Sequence, residues 1–333
     1  MRNLPSMMPA MVIREPGGPE VLTLQDVPVP RVGEGQVLVR VRAFGVNRAE
    51  TYFRSGAWGE ASPVSGIECV GQVEEDPSGE LAVGTKVFAL MGGMGRTLSG
   101  SYGAFVSVPS TNVVPIESLL PWDVLAALPE SFATAHACLV ERLHLEEGER
   151  IVIRGATSAL GRAAIVLAHS LGASVVATSR RVERFPALEE LGAEEVLIHD
   201  ETLADEVRRR FPGGVDAVLD LIGNRSLLDS MRMVRANGRV CLAGFLGGGE
   251  PIVSFDPLTQ MPPSVDLSFF ASFLFGTPGV PVPKEALQGL VRRVERGELL
   301  LEPAHVFGLE ELPKAHRMME ENRAEGKIVV LHA

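Results

Sequence analysis

The chain has 333 residues, of which 46% are hydrophobic and 22% charged, and its formal net charge is -11. This length allows two domains, each with a core of its own, and the composition excludes a disordered or fibrous protein. The acidic balance argues against a nucleic-acid partner, because binding to a phosphate backbone favours a basic surface.

The cysteines and the N-terminus indicate the compartment. Cys69, Cys138 and Cys241 are far apart and odd in number, so the sequence offers neither a disulfide framework nor a CxxC metal knuckle. The first residues lack the apolar run of a signal peptide, and no stretch of about 18 uninterrupted apolar residues occurs. We therefore expect a soluble, cytoplasmic protein with no membrane partner.

The first part of the chain, from residue 10 to about residue 108, is strand-like. Short β-rich runs such as residues 37–43 alternate in polarity and are separated by Gly or Pro. This pattern predicts a small β-barrel or sandwich. One helix is predicted over residues 48–55, with Asn47 as its N-cap and Gly56 at its left-handed exit.

After Pro129 the pattern changes to apolar runs separated by segments of helical periodicity. The runs are residues 151–153, 174–177, 195–198, 215–219 and 238–242, and a sixth is predicted at residues 267–273. Strands that alternate with helices indicate βαβ units, so the sequence predicts an α/β fold with a doubly wound parallel sheet, a Rossmann domain. Residues 284–333 contain two amphipathic helices and a closing strand at 327–331, which we expect to return to the first domain.

A glycine-rich turn follows the first of these strands. Gly155 predicts a tight turn, Gly161 permits close packing of the next helix, and Ser158 with Ala159 would offer amides to a phosphate. The candidate cofactor-binding residues of this loop are Gly155, Thr157, Ser158, Ala159, Leu160 and Gly161. Thr157 and Ser158 stand where a second glycine is often found, and a plain strand-to-helix turn is the alternative.

The end of the next strand indicates which nicotinamide cofactor is bound. An NAD site carries Asp or Glu there, about 20 residues past the glycine loop, to hold the ribose 2′-hydroxyl. Here the strand runs into Ser179, Arg180 and Arg181, with Arg184 one helical turn further on. Guanidinium groups pair with a 2′-phosphate, so Ser179, Arg180 and Arg184 are candidate contacts of NADPH. We interpret Arg181 as a solvated surface group.

A β-rich first domain, a later nucleotide-binding domain and a final return to the first domain resemble the medium-chain dehydrogenase/reductase superfamily. Its zinc alcohol dehydrogenases have a Cys where this chain has Asn47, in Gly45-Val46-Asn47-Arg48, and a His where it has Ile67, in Gly66-Ile67-Glu68. Neither residue can bind zinc, and residues 76–96 lack the structural cysteines of those enzymes. We therefore expect no metal.

Residues 45–56 resemble the zinc-free quinone oxidoreductase branch, which includes zeta-crystallin, and the likeness continues at 129–135, 191–193, 238–239 and 326–327. The resemblance implies a GroES-like domain of residues 1–128 and 270–333, a Rossmann domain of residues 129–269, an active cleft at their junction and a homodimer. It also implies that Asn47 and Tyr52 line the substrate site. The residues that it implies to contact cofactor are Thr134, Lys327 and the segment 273–276 with Phe273 and Phe275.

The implied activity is hydride transfer from NADPH to a quinone or related conjugated carbonyl, with Tyr52 and Asn47 as hydrogen-bond donors to the nascent oxyanion. One alternative is reduction of alkenals or enoyl thioesters. The enoyl-thioester reductases carry a tyrosine where this chain has Trp58, which cannot protonate an enolate. Another alternative is a non-catalytic, crystallin-like NADPH-binding protein.

Overall fold

A computed structural model describes residues 4–59 and 61–332. Two compact units are formed. The first comprises Met1–Ala133 and Ser272–Ala333, and the second comprises Thr134–Ala271. Among the described residues, the first unit has a seven-stranded sheet and a separate two-stranded sheet, Met7–Ile13 with Leu22–Pro28, whereas the second unit has a six-stranded sheet, and each unit has its own apolar core.

The strands are β1 Met7–Ile13, β2 Leu22–Pro28, β3 Gln36–Val46, β4 Glu68–Glu75, β5 Lys86–Leu90, β6 Phe105–Pro109, β7 Val113–Pro115, β8 Arg150–Arg154, β9 Ser174–Ser179, β10 Glu195–Ile198, β11 Val215–Asp220, β12 Val234–Leu242, β13 Asp266–Phe269, β14 His305–Gly308 and β15 Ile328–Leu331. The α-helices are α1 Arg48–Ser55, α2 Trp122–Ala126, α3 Pro129–His136, α4 Ala159–Ser170, α5 Phe185–Glu189, α6 Leu203–Arg210, α7 Asn224–Met233, α8 Pro257–Gln260, α9 Lys284–Glu295 and α10 Leu312–Glu320.

The sheet of the first unit has the strand order β14-β15-β3-β4-β5-β7, with β6 also paired to β3. Strand β15 lies antiparallel to β3, with Ile328 opposite Val46. The C-terminal strand therefore completes the sheet that begins with β3. Inward-facing apolar side chains of both segments, such as Phe44 and Val330, share one core.

The sheet of the second unit is parallel, with the order β10-β9-β8-β11-β12-β13. This order is that of a doubly wound Rossmann sheet, so the predicted fold class is confirmed. The sixth strand is shorter than predicted. It ends at Phe269, which pairs with Leu242, the last residue of its neighbour β12. The Leu242 carbonyl accepts the Phe270 N–H, and the pairing of the two strands stops there. Phe273 lies instead in the 3-10 turn Ser272–Leu274.

Helix α1 spans the predicted residues. Gly56 follows it with φ 77°, the left-handed conformation that glycine adopts most easily. Its inward face carries Glu50, Phe53 and Arg54, all buried. The helix therefore brings two ionisable side chains into the first unit.

Across the described parts of the chain, 4–59 and 61–332, the helices are too short or too polar to cross a membrane.

Candidate functional site

The turn after β8 has the geometry of a phosphate-binding loop. Gly155 has φ 77°, and Ser158 caps α4, with its Oγ accepting the Gly161 N–H at 3.0 Å and donating to the Gly155 carbonyl at 2.8 Å. A Cβ at Gly161 would lie 2.5 Å from the Gly155 oxygen, so the helix packs on the loop at a distance that only glycine permits. The amides of Ala159 and Leu160 open the helix, at the positive end of its dipole.

The loop after β9 lies beside this turn, because β8 and β9 are neighbouring parallel strands. Ser179 is buried, and its Oγ donates to the Arg181 carbonyl at 3.0 Å and accepts the Arg181 N–H at 3.1 Å. This turn leaves Arg180 exposed and Arg184 half-buried. The strand thus ends in cationic side chains with no carboxylate at its tip.

A second group of predicted residues meets in the first unit. Asn47 follows β3, Glu68 opens β4, and Lys327 precedes β15, which pairs with β3. Asn47 Nδ2 donates to Glu68 Oε1 at 2.8 Å, and Lys327 Nζ donates to Asn47 Oδ1 at 2.8 Å, to Glu68 Oε1 and to Ser131 Oγ at 3.3 Å. Glu68 is 0% exposed and Lys327 6% exposed.

These contacts fix the orientation of the Asn47 amide. An ammonium group can only donate and a carboxylate can only accept, so Oδ1 must face Lys327 and Nδ2 must face Glu68. Among the described residues, the second Nδ2 hydrogen has only a long contact of 3.5 Å, to the Gly45 carbonyl. One N–H of Asn47 therefore stays outside this network of short hydrogen bonds.

The neighbouring residues make room for this arrangement. A Cβ at Gly45 would lie 2.2 Å from Lys327 Cε and 2.5 Å from Glu68 Oε1. Glu68 Oε2 accepts the Glu130 N–H at 2.8 Å, in the first turn of α3, where a carboxylate is favoured by the helix dipole.

A chain of buried hydrogen bonds continues from the base of α1. Glu50 accepts the Asn47 N–H at 2.7 Å, the Ile67 N–H at 3.0 Å and the Tyr102 hydroxyl at 3.0 Å. Burial raises the pKa of Glu50 to about 7, although the two backbone N–H groups act to lower it.

The far side of Tyr102 contacts His316. Tyr102 Oη lies 2.6 Å from His316 Nε2, Arg54 Nη1 lies 3.2 Å from His316 Nδ1, and Arg54 Nη2 pairs with Glu320. Arg54 can only donate, so His316 Nδ1 accepts and its Nε2–H points at Tyr102, whose proton points at Glu50. Burial, followed by the Arg54 charge, lowers the pKa of His316 to about 3, so the ring is neutral.

Sequence reasoning missed Arg54, Tyr102, His316 and the pairing of Glu68. The signal for His316 was its place on the apolar face of α10, with Leu312, Ala315 and Met319. Polar residues at core spacing are costly to bury and so require buried partners.

The remaining predicted residues lie as follows. Tyr52 is half-buried, with its ring centroid 4.7 Å from that of Trp58. Thr134 is 2% exposed and begins the second unit, while Phe275 is 1% exposed and Phe273 53% exposed, both in the first unit. Asn112 Nδ2 donates to the Phe275 carbonyl at 2.7 Å.

The chain matches known families over most of its length. Residues 33–118 match the family described as "Alcohol dehydrogenase GroES-like domain", and residues 191–330 match that described as "Zinc-binding dehydrogenase". Quinone oxidoreductase from Mus musculus is 32% identical over 251 residues, 72% of this chain and 74% of that protein. Quinone oxidoreductase from Rattus norvegicus is 29% identical over 338 residues, 98% of both chains.

A solved structure, mycobacterial Rv1454c complexed with NADPH, superimposes with a TM-score of 0.84 at 26% identity, over 97% of this chain and 99% of that one. A doubly wound nucleotide-binding unit and a GroES-like unit in one chain define a nicotinamide-dependent oxidoreductase class. The chain belongs to the medium-chain dehydrogenase/reductase superfamily, with quinone oxidoreductases among its full-length relatives.

Proposed function

We propose that this protein is an NADPH-dependent, zinc-independent quinone oxidoreductase. The observation that carries the proposal is the carboxyl edge of the parallel sheet, where the Gly155 turn, the start of α4 and the exposed Arg180 lie on adjacent strands. The quinone oxidoreductase relatives support the acceptor class, and the NADPH complex of Rv1454c supports the cofactor.

Different residues of the second unit suit the pyrophosphate and the 2′-phosphate of NADPH. The α4 amides and the loop glycines suit a pyrophosphate, which needs close backbone approach and N–H donors. Arg180 and Arg184 suit the 2′-phosphate, since guanidinium–phosphate pairs are charge-assisted and often bidentate. When bound, NADPH supplies a hydride, and a proton from solvent completes the conversion of a quinone to a hydroquinone.

The side chains of the first unit would orient the acceptor and stabilise the oxyanion. Asn47 offers the second Nδ2 hydrogen, and its amide cannot turn without losing Lys327 and Glu68. Tyr52 offers a phenol donor next to Trp58. Donors held in place before the reaction stabilise developing charge without reorganisation.

Zinc does not fit the residues that stand where zinc alcohol dehydrogenases carry their ligands. Ile67 has no donor atom, and the Lys327 ammonium already neutralises Glu68 and would repel a divalent cation. Within residues 4–59 and 61–332, His, Cys, Asp and Glu side chains do not gather in groups of three that could hold a metal. We therefore assign no step of the reaction to a metal.

The function is tested by NADPH oxidation with 1,4-naphthoquinone as acceptor, after dialysis against a chelator. We expect NADPH to be oxidised at a rate that neither the chelator nor added zinc changes. Tyr52→Phe should lower kcat by about 100- to 1000-fold, because it removes the phenol that donates to the oxyanion. Reduction that starts only when zinc is added would contradict the proposal.

An acceptor panel separates the alternatives. Turnover confined to alkenals or enoyl thioesters would replace the quinone reading with reduction of a C=C bond. NADPH binding without turnover on any acceptor would identify a non-catalytic, crystallin-like protein.

Arg180→Ala should weaken NADPH binding and leave NADH binding nearly unchanged. We expect a loss of about 1.5 to 3 kcal/mol for NADPH, the value of one charge-assisted contact. Titration followed by nicotinamide fluorescence measures both, with the adjacent exposed Arg181→Ala as the matched control. An equal loss for the two cofactors would refute the assignment.

We also propose a homodimer formed through β13. This strand is the edge of the parallel sheet, and its Leu267 and Phe269 are 38% and 59% exposed. Unpaired edge strands with exposed apolar residues favour pairing with another chain. Light scattering at micromolar concentration should give a dimer mass that Phe269→Arg converts to a monomer mass, and a wild-type monomer would remove the proposal.

A further inference from the structure

Five residues of the first unit form an aromatic–arginine cluster, of which Trp58, Arg96 and Phe273 are exposed: Tyr52, Phe53, Trp58, Arg96 and Phe273. The Trp58 ring lies 4.7 Å from that of Tyr52 and 5.7 Å from that of Phe53, centroid to centroid. The Arg96 guanidinium lies 4.9 Å from the Phe273 ring centroid and 5.8 Å from that of Phe53. One cation is thus held between two rings.

The cluster presents unusual surface to solvent. Trp58 is 49% and Phe273 53% exposed, in a protein with two tryptophans. The two exposed rings are connected through Phe53 and Arg96, and exposed aromatic surface of this kind marks ligand sites, because it leaves water readily and stacks on flat molecules.

Backbone hydrogen bonds and buried neighbours position the residues of the cluster. Arg96 lies in a turn in which Gly93 accepts three backbone N–H groups, from Arg96, Thr97 and Leu98, and Met94 anchors the turn in the core at 1% exposure. Phe273 precedes the buried Phe275, whose carbonyl accepts from Asn112. Trp58 follows the Gly56 exit of α1 and packs back on that helix.

The charge of Arg96 is available to a ligand. Among the described residues, it contacts two rings and forms neither an ion pair nor a side-chain hydrogen bond. Stacking uses the faces of a guanidinium group and leaves its N–H donors at the edge, where they match a carboxylate, sulfonate or ionised hydroxyl. The site therefore combines stacking surface with one anion-binding fork.

We propose that this cluster binds flat aromatic molecules that carry a negative charge, and that it selects such acceptors among quinones. Trp58 and Phe273 would stack on the ring system, and Arg96 would pair with the anionic substituent. The proposal rests on the proposed function where it names the ligand as an acceptor, whereas the binding itself requires no turnover.

Trp58 provides a direct reporter. In full-length Trp122→Phe protein it is the remaining tryptophan, and Trp122 packs elsewhere, against Lys86. The two probes are 2-hydroxy-1,4-naphthoquinone, ionised at neutral pH, and its uncharged 2-methoxy ether. Quenching of Trp58 fluorescence gives Kd for each, and free N-acetyltryptophanamide corrects for absorption by the probes.

We expect the ionised probe to bind at least about tenfold more tightly than the ether, the value of one charge-assisted contact. Arg96→Met should remove this preference and Arg96→Lys should keep part of it, while Arg323→Met, at another exposed arginine, should leave it intact. Equal affinities for the two probes, or a preference that survives in Arg96→Met, would overturn the proposal.

The outcome is separable from that of the proposed function, which is measured as NADPH oxidation by uncharged 1,4-naphthoquinone. Charge-selective quenching without quinone turnover would retain the site and reject the activity. Turnover with no Arg96-dependent preference would retain the activity and reject the site.

Discussion

Arg54→Met should lower the free energy of unfolding of the first unit by about 1 to 3 kcal/mol, the cost of leaving a buried hydrogen-bonding group without its partner. Arg54 is 1% exposed, donates to the Gly17 carbonyl at 3.0 Å and to His316 Nδ1 at 3.2 Å, and pairs with Glu320. Methionine has a similar length but no donor, so the buried His316 Nδ1 would lose its partner, whereas Glu320, which is 35% exposed, can be solvated. Urea unfolding followed by circular dichroism measures the change.

Arg323→Met is the matched control in the same unit. Arg323 pairs with Glu321, but its side chain is 61% and that of Glu321 46% exposed. Water and salt screen such pairs, so we expect a change below about 1 kcal/mol. Similar losses in the two variants would mean that Arg54 acts as a surface charge and that the buried chain to His316 contributes little.

Much of the fold could be predicted from local patterns. The strand runs at 151–153 and 174–177 and the Asn47 to Gly56 helix signals match β8, β9 and α1. These features depend on neighbours in sequence: apolar periodicity, a cap and a glycine at a left-handed position. The sixth strand was predicted too long because its end depends on where its partner β12 stops.

The polar interior could not be predicted in the same way. Lys327 and Glu68 are 259 residues apart in sequence, and Tyr102 and His316 are 214 apart. Residue type and local spacing do not indicate which distant polar group will be the partner. The sequence could show only that His316 stands on an apolar helix face and therefore needs a buried hydrogen-bond partner.

The family resemblance and the fold indicate different roles for Lys327. The resemblance implies contact with the cofactor, and that contact stays a prediction. In the first unit its ammonium donates to Asn47, Glu68 and Ser131, which uses all three of its hydrogens. We therefore interpret Lys327 chiefly as the residue that orients the Asn47 amide.

Gly161→Ala should impair both cofactor binding and stability of the second unit. The new Cβ would lie 2.5 Å from the Gly155 oxygen and 2.6 Å from Ala156 Cα, which are backbone atoms and cannot rotate away. The turn must then move off α4, so the Ser158 cap weakens and the loop amides lose their alignment. We expect a destabilisation of about 1 to 3 kcal/mol, typical of overpacking, and at least about a tenfold increase in the Kd for NADPH.

Gly289→Ala separates the clash from the general effect of replacing glycine in a helix. Gly289 lies within α9, and a Cβ there would meet nothing within 4 Å. Alanine is the better helix former, so this variant should be more stable by about 0.5 to 1 kcal/mol, with unchanged NADPH binding. Unfolding curves of the two variants measure the change in stability, and NADPH titrations measure the change in Kd. If Gly161→Ala binds NADPH as the wild type does, the close packing of α4 on the Gly155 turn is not what shapes the cofactor site, and the assignment of the loop amides to the pyrophosphate fails with it.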